Sequence, residues 1–95
     1  EMLWQEGAVS EHVVRMMAEN VRRKLNTTYS LAISGIAGPG GGTKDKPVGT
    51  VWMAVASKGK TIAKCYQLKG NRIQNIERSS LLGLELLRKL VVGLI

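Results

Sequence analysis

Ten consecutive residues, Val48 to Ser57, are apolar at nearly every position (Val-Gly-Thr-Val-Trp-Met-Ala-Val-Ala-Ser). A strand with one wet face alternates apolar and polar side chains; this run does not, so both of its faces need cover. That requirement points to a sheet with helices above and below it. The next segment, Ser57-Lys58-Gly59-Lys60, has the chemistry of a hairpin turn, with Gly59 supplying left-handed backbone. Thr61 to Leu68 then returns as an antiparallel partner, less apolar and therefore nearer an edge. Tyr29 to Ser34 is a third short strand, and the Val48–Ser57 run is expected between the other two.

Two helical segments can supply the cover. Ser10 is a good N-cap acceptor, and Glu11 in the first turn complements the positive helix end. Val14, Met17, Val21 and Leu25 recur at spacings of three and four, with Ala18 beside them, drawing one apolar stripe. Glu11, Arg15, Glu19 and Arg23 alternate in sign at i, i+4 on the other face. Asn71 caps a second helix, whose expected stripe is Ile73, Ile76, Ser80, Leu84, Leu87, Val91 and Leu94. The residues thus predict an α/β chain of three strands and two main helices. That is a thin core, and in a chain opening at Glu1 it raises the expectation of one part of a larger domain.

Fourteen Lys and Arg against seven Asp and Glu give a formal charge of +7. Nucleic acid, small anions and plain solvation all accommodate such a balance. The cations are scattered, Arg22-Arg23-Lys24 being the one run, and no helix-turn-helix, zinc ligand set or aromatic platform accompanies them. No nucleic-acid partner is therefore expected, and no metal or cofactor. No apolar run approaches the roughly 20 residues of a membrane span, and no secretory leader is visible. Cys65, the single cysteine, points to a reducing cytoplasm and is expected to be a buried, inert thiol. His12, the single histidine, lacks a nearby carboxylate partner and is expected to be solvated.

Between the first two strands lie thirteen residues, Gly35 to Pro47 (Gly-Ile-Ala-Gly-Pro-Gly-Gly-Gly-Thr-Lys-Asp-Lys-Pro). Connections in compact domains usually take about 4–6 residues. Gly35, Gly38, Gly40, Gly41 and Gly42 would let a ligand approach the backbone, and successive N–H groups can face a phosphate or oxyanion. The spacing fits neither nucleotide fingerprint: Gly41 stands where a P-loop needs lysine, and Thr43 where the dinucleotide pattern needs its third glycine. On composition alone, a ligand-binding loop and a mobile surface turn both stay open.

Gly7-Ala-Val-Ser10, Ser34 to Gly42, Lys46 to Trp52 and Gly70-Asn71-Arg72, in this order and spacing, resemble the C-terminal domain of the CinA family, the nicotinamide-nucleotide amidases. The likeness runs from about Gly7 to Leu90. It implies a three-layer α/β/α fold around a mixed sheet in a cytoplasmic bacterial protein. It further implies hydrolysis of the carboxamide of nicotinamide mononucleotide to nicotinate mononucleotide and ammonia, without metal or cofactor. The resemblance places the nucleophilic serine in an upstream Ala-Glu-Ser-Cys-Thr-Gly-Gly stretch and a supporting lysine in a later Tyr-Ser-x-x-x-Lys-like segment. Neither stretch occurs here, so residues 1–95 are expected to form the second half to two-thirds of the domain. The family usually has threonine where Ser34 stands, and the hydroxyl is kept. Ser34 and Gly35 are implied as supporting catalytic positions. Gly38, Gly40, Gly41 and Arg72 are implied as substrate-binding, with Arg72 on the substrate phosphate. Arg78, Lys44 and Lys46 are weaker candidates, and Trp52 is expected in the core. The alternative is a non-catalytic nucleotide-binding or assembly module; the expected partner is a small nucleotide, with a homo-oligomer possible.

Overall fold

The computed structural model describes residues 2–6, 10–35 and 49–95, the first of these segments by its backbone. Along the chain come β1 (Met2–Glu6), α1 (Glu11–Leu25), β2 (Tyr29–Gly35), β3 (Thr50–Ser57), β4 (Lys60–Gln67) and α2 (Arg72–Val91). The strands form one sheet in the order β1-β2-β3-β4. The β1–β2 pair is parallel, whereas β2–β3 and β3–β4 are antiparallel. The sheet is therefore mixed, and it has four described strands where the sequence indicated three. Met2–Glu6 is too short, and with Gln5 and Glu6 too polar, to stand out as a strand; its pairing with Leu31–Gly35 makes it one.

The doubly apolar run lies where its composition demands. β3 sits between β2 and β4 and is buried along almost its whole length. Alternation sends Val51, Met53 and Val55 to one face, where they pack with Leu31, Ile33, Leu86 and Leu90 under α2. Ala54 and Ala56 point the other way and join Ala32, Val14 and Ala18 under α1. The helices thus cover opposite faces in three layers. The α1 side is built on alanines, which let that helix lie close; the α2 side carries the larger side chains. Trp52 packs half-buried at the margin of the alanine cluster.

Both helix starts use the expected caps. Ser10 Oγ accepts the Val13 N–H at 3.2 Å. Asn71 and Gln74 form a reciprocal capping box, Oδ1 accepting from Gln74 N–H at 2.9 Å and Oε1 from Asn71 N–H at 3.0 Å. Asn26 ends α1 in a left-handed conformation, its N–H reaching the Arg22 and Arg23 carbonyls. Gly59 takes φ +83 in the β3–β4 turn, as that turn requires.

The α1 stripe packs as expected through Val14, Met17 and Ala18, with Val21 half-buried, and departs only at Leu25, which is 52% exposed at the helix end. The α2 stripe is corrected. On α2 the buried line is Asn75, Ser79, Gly83, Leu86 and Leu90. Ile73, Leu84, Val91 and Leu94 are exposed instead. The cause is close approach: a Cβ on Gly83 would stand 3.0 Å from Ile33 Cδ1 and from Leu31 Cδ2. The first half of α2 therefore faces the sheet with small and polar residues, and hydrophobicity alone selects the wrong face.

Candidate functional site

The β2–β3 loop leaves the sheet at the carboxyl end of β2, and both helices begin at that same end. Ser30 Oγ donates to the Ala18 carbonyl at 2.6 Å, fixing α1 against β2. From Ala18 back to Ser10 is about 12 Å of helix, and from Ser30 to Ser34 about 13 Å of strand. The N-terminus of α1 therefore stands level with Ser34. On the other face Gly83 sits over Leu31 and Ile33. Two helical turns back, Asn75 and the start of α2 reach the level of Gly35. First-turn amides have no intrahelical acceptor, and the positive ends of both dipoles meet at this pole.

Backbone geometry fixes the pole tightly. Gly49 has φ +93, and a Cβ there would fall 1.9 Å from the Leu68 carbonyl oxygen. Leu68 N–H in turn donates to the Gly49 carbonyl at 2.8 Å. One residue on, Thr50 Oγ1 donates to Gln67 Oε1 at 2.8 Å. The end of β4 is thereby latched to the start of β3, and the chain enters Gly70-Asn71-Arg72. A Cβ on Gly70 would meet Gln74 Oε1 at 2.7 Å. Gly70 N–H donates to Asn75 Oδ1 at 2.9 Å, and Ser79 Oγ donates to the Asn75 carbonyl at 2.6 Å. Asn75 and Ser79 are both fully buried. Asn75 thus holds the turn that presents Arg72, a role hidden in the sequence within an apparently amphipathic helix. The signal that could have found it is the pair of polar residues at i and i+4, Asn75 and Ser79, beginning three residues after Arg72.

Ser34 and Arg72 come to the same end of the sheet but to opposite faces. Ser34 is fully buried and follows Ser30 and Ala32 onto the α1 face. Arg72 is the first residue of α2, exposed on the other face. Gly35 lies between, buried, where a Cβ would meet Thr50 O and Val51 Cγ2 at 3.0 Å. A ligand touching both Ser34 and Arg72 would lie across the strand ends rather than against one face. Gly38, Gly40 and Gly41, with Lys44 and Lys46, fall outside the described residues. Arg78 is exposed one and a half turns into α2.

Two other candidates take plainer places. His12 is exposed in the first turn of α1. Cys65 is exposed on β4, not buried as its strand pattern implied, because β4 lies at the edge of the sheet formed by the described residues. Partial burial pushes its thiol pKa up from the ordinary value. It is accordingly expected to alkylate with iodoacetamide more slowly at pH 8 than a free thiol, although accessible. Equal rates would show that no such shift exists. Among the described residues no group of three or more His, Cys, Asp or Glu side chains could hold a metal ion. No described helix is long and apolar enough to cross a membrane.

The model of the CinA C-terminal domain family matches residues 1–91. The chain belongs to that family. A CinA-like protein of Amoebophilus asiaticus is 48% identical over 91 residues, covering 96% of this chain and 22% of that protein. One from Gemmatimonas aurantiaca is 49% identical over 89 residues, covering 94% and 21%. Among solved structures, the competence/damage inducible protein CihA of Agrobacterium tumefaciens matches with TM-score 0.85 at 31% identity, over 88% of this chain and 52% of that one. The competence-damaged protein (CinA) superfamily protein of Enterobacter cloacae gives 0.80 at 38%, over 87% and 50%. This CinA-family chain thus spans about a fifth of the curated relatives' length and about half of each of these solved chains.

Proposed function

We propose that this chain supplies the substrate-facing end of a nicotinamide mononucleotide amidohydrolase, which converts the carboxamide to a carboxylate with release of ammonia. The observation that carries the reading is the convergence of two helix N-termini, the Ser34–Gly35 strand end and the Gly70-Asn71-Arg72 turn at one pole of the sheet. Such a pole favours a phosphate: the dipole and first-turn amides of α2 act together with a guanidinium able to donate two parallel hydrogen bonds. Arg72 binds the phosphate. Ser34 and Gly35, across the strand ends, support the amide, and Gly38, Gly40 and Gly41 contribute to substrate binding.

In the intact domain a serine outside these residues attacks the carboxamide carbon while a lysine takes its proton. Backbone N–H groups stabilise the tetrahedral oxyanion, ammonia leaves with the returned proton, and water hydrolyses the acyl-enzyme. The chain itself contributes the anchor and the oxyanion-side contacts. Full-length protein carrying this domain is expected to release ammonia from nicotinamide mononucleotide. Arg72→Ala should raise KM roughly 30-fold, the loss of a charge-assisted hydrogen bond of about 2 kcal/mol, with a much smaller change in kcat. A well-folded protein that binds the nucleotide but releases no ammonia would favour the non-catalytic binding module. One that neither binds nor hydrolyses it would remove both readings.

A further inference from the structure

The opposite pole of the sheet brings together two basic segments that are far apart in sequence. Arg22 and Arg23 come from the last turn of α1, and Lys58 and Lys60 from the β3–β4 hairpin. A cavity of about 540 Å³ lies there, lined among others by Arg22, Thr27, Tyr29, Lys58, Lys60 and Leu90. Its volume falls in the range of small-molecule sites. A second concavity with Arg23 and Glu19 adjoins it, sharing Arg22, Ser57 and Lys60 as walls.

Local structure accounts for only part of this charge. The last turn of α1 holds Arg22, Arg23 and Lys24, and that of α2 holds Arg88 and Lys89, so each negative helix end already has its own cations. The hairpin lysines are additional to both. Arg23 is engaged locally, donating to Asn20 Oδ1 at 3.0 Å and to the Glu19 carbonyl at 3.4 Å. Arg88 is paired with Glu85. Thr27 lines the cavity, and its Oγ1, buried just beneath that lining, is the buried side-chain polar atom left without a hydrogen-bond partner among the described residues. An unmatched buried hydroxyl is destabilising, and rotation of the side chain toward an acceptor oxygen bound in the cavity would relieve it.

We infer that this cavity is a second anion site, taking a small phosphorylated molecule with Arg22, Lys58 and Lys60 on the phosphate and Thr27 donating its hydroxyl. The ring of Tyr29 and the side chain of Leu90 give the organic part an apolar wall. The site is separate from the glycine-loop pole, since the seven residues of β2 hold the two ends about 20 Å apart. The concavity is open to solvent; it is the unmatched Thr27 hydroxyl and the apolar wall beside the cations that favour a small phosphorylated molecule over a nucleic-acid backbone, which needs only an extended basic face.

The test is titration of the isotopically labelled chain with inorganic phosphate and then with adenosine monophosphate, followed by amide chemical shifts. Saturable shifts are expected at Arg22, Thr27 to Tyr29 and Ser57 to Lys60, with the nucleotide tighter than phosphate by at least about threefold. Lys58→Gln, on an exposed turn, should weaken binding at least about fivefold, and Thr27→Val by a similar factor, while Arg72→Ala leaves it unchanged. Absence of saturation at these amides would overturn the proposal. So would affinity indifferent to Lys58→Gln and Thr27→Val. Binding to duplex DNA alone, steeply salt-dependent and unaffected by Thr27→Val, would replace the cavity with a diffuse polyanion surface.

Discussion

Gly49→Ala is expected to lower stability by at least about 3 kcal/mol, a drop in Tm of roughly 12–24 °C for a domain of this size. Two effects act together. The backbone at Gly49 sits at φ +93, where an L side chain is strained, and the new methyl would fall 1.9 Å from the Leu68 carbonyl oxygen. That oxygen belongs to backbone rather than a flexible side-chain tip, so one chain has to move. Movement there would open the 2.8 Å bond from Leu68 N–H to the Gly49 carbonyl and disturb the Thr50–Gln67 latch beside it. Gly59→Ala is the matched control. Gly59 has φ +83, but a Cβ there meets nothing within 4 Å, so only the conformational cost, about 1 kcal/mol, remains. Thermal unfolding of the two variants gives the comparison. Equal losses would mean that the contact with Leu68 contributes nothing.

Asn75→Leu keeps the approximate volume of a fully buried side chain and is expected to cost about 2–3 kcal/mol. The substitution leaves Gly70 N–H without its 2.9 Å acceptor at a position already crowded by Gln74. Because that bond shapes the turn before Arg72, the variant should also loosen substrate binding in the direction of Arg72→Ala, with faster hydrogen exchange at Gly70. Ser79→Ala separates packing from hydrogen bonding. Its hydroxyl donates to a carbonyl of its own helix, Asn75 O, so its loss should cost under about 1 kcal/mol. If Asn75→Leu left both stability and Gly70 exchange unchanged, Asn75 would have no part in positioning the turn.

Features encoded over a few residues were legible in the sequence. Ser10 and Asn71 cap because their side chains reach amides three residues away, and Gly59 turns because the hairpin needs left-handed backbone. The β3 run announces cover on both faces by lacking alternation. What escaped depends on distance between elements. The buried face of α2 follows Asn75, Ser79 and Gly83 because the helix lies close over Leu31 and Ile33, and no property of α2 alone specifies that approach. Cys65 and β1 were misjudged for the same reason: a strand's place at the edge, and even its existence, depends on its neighbours.

At the candidate site, Gly70-Asn71-Arg72 and Ser34-Gly35 could be identified from the sequence, and the structure brings them to one end. Their separation onto opposite faces follows from alternation along β2: Ser34 shares the face of Ser30 and Ala32, while Ile33 marks the face that α2 covers. The hold that Asn75 exerts on the turn was hidden by its position inside a helix. The basic cavity was hidden by scattering, since Arg22 and Lys58 are separated by two strands and the glycine loop.

Among the described residues, strand β4 pairs with β3 on one side and has no strand on the other, leaving a row of backbone groups of the kind that templates fibrils. Lys60 and Lys64 both lie on it and are exposed. Copies stacked in register there would bring ammonium groups about 4.8 Å apart, one rung above another. That repulsion acts as a brake on cross-β growth, and chemistry that neutralised both amines would release it.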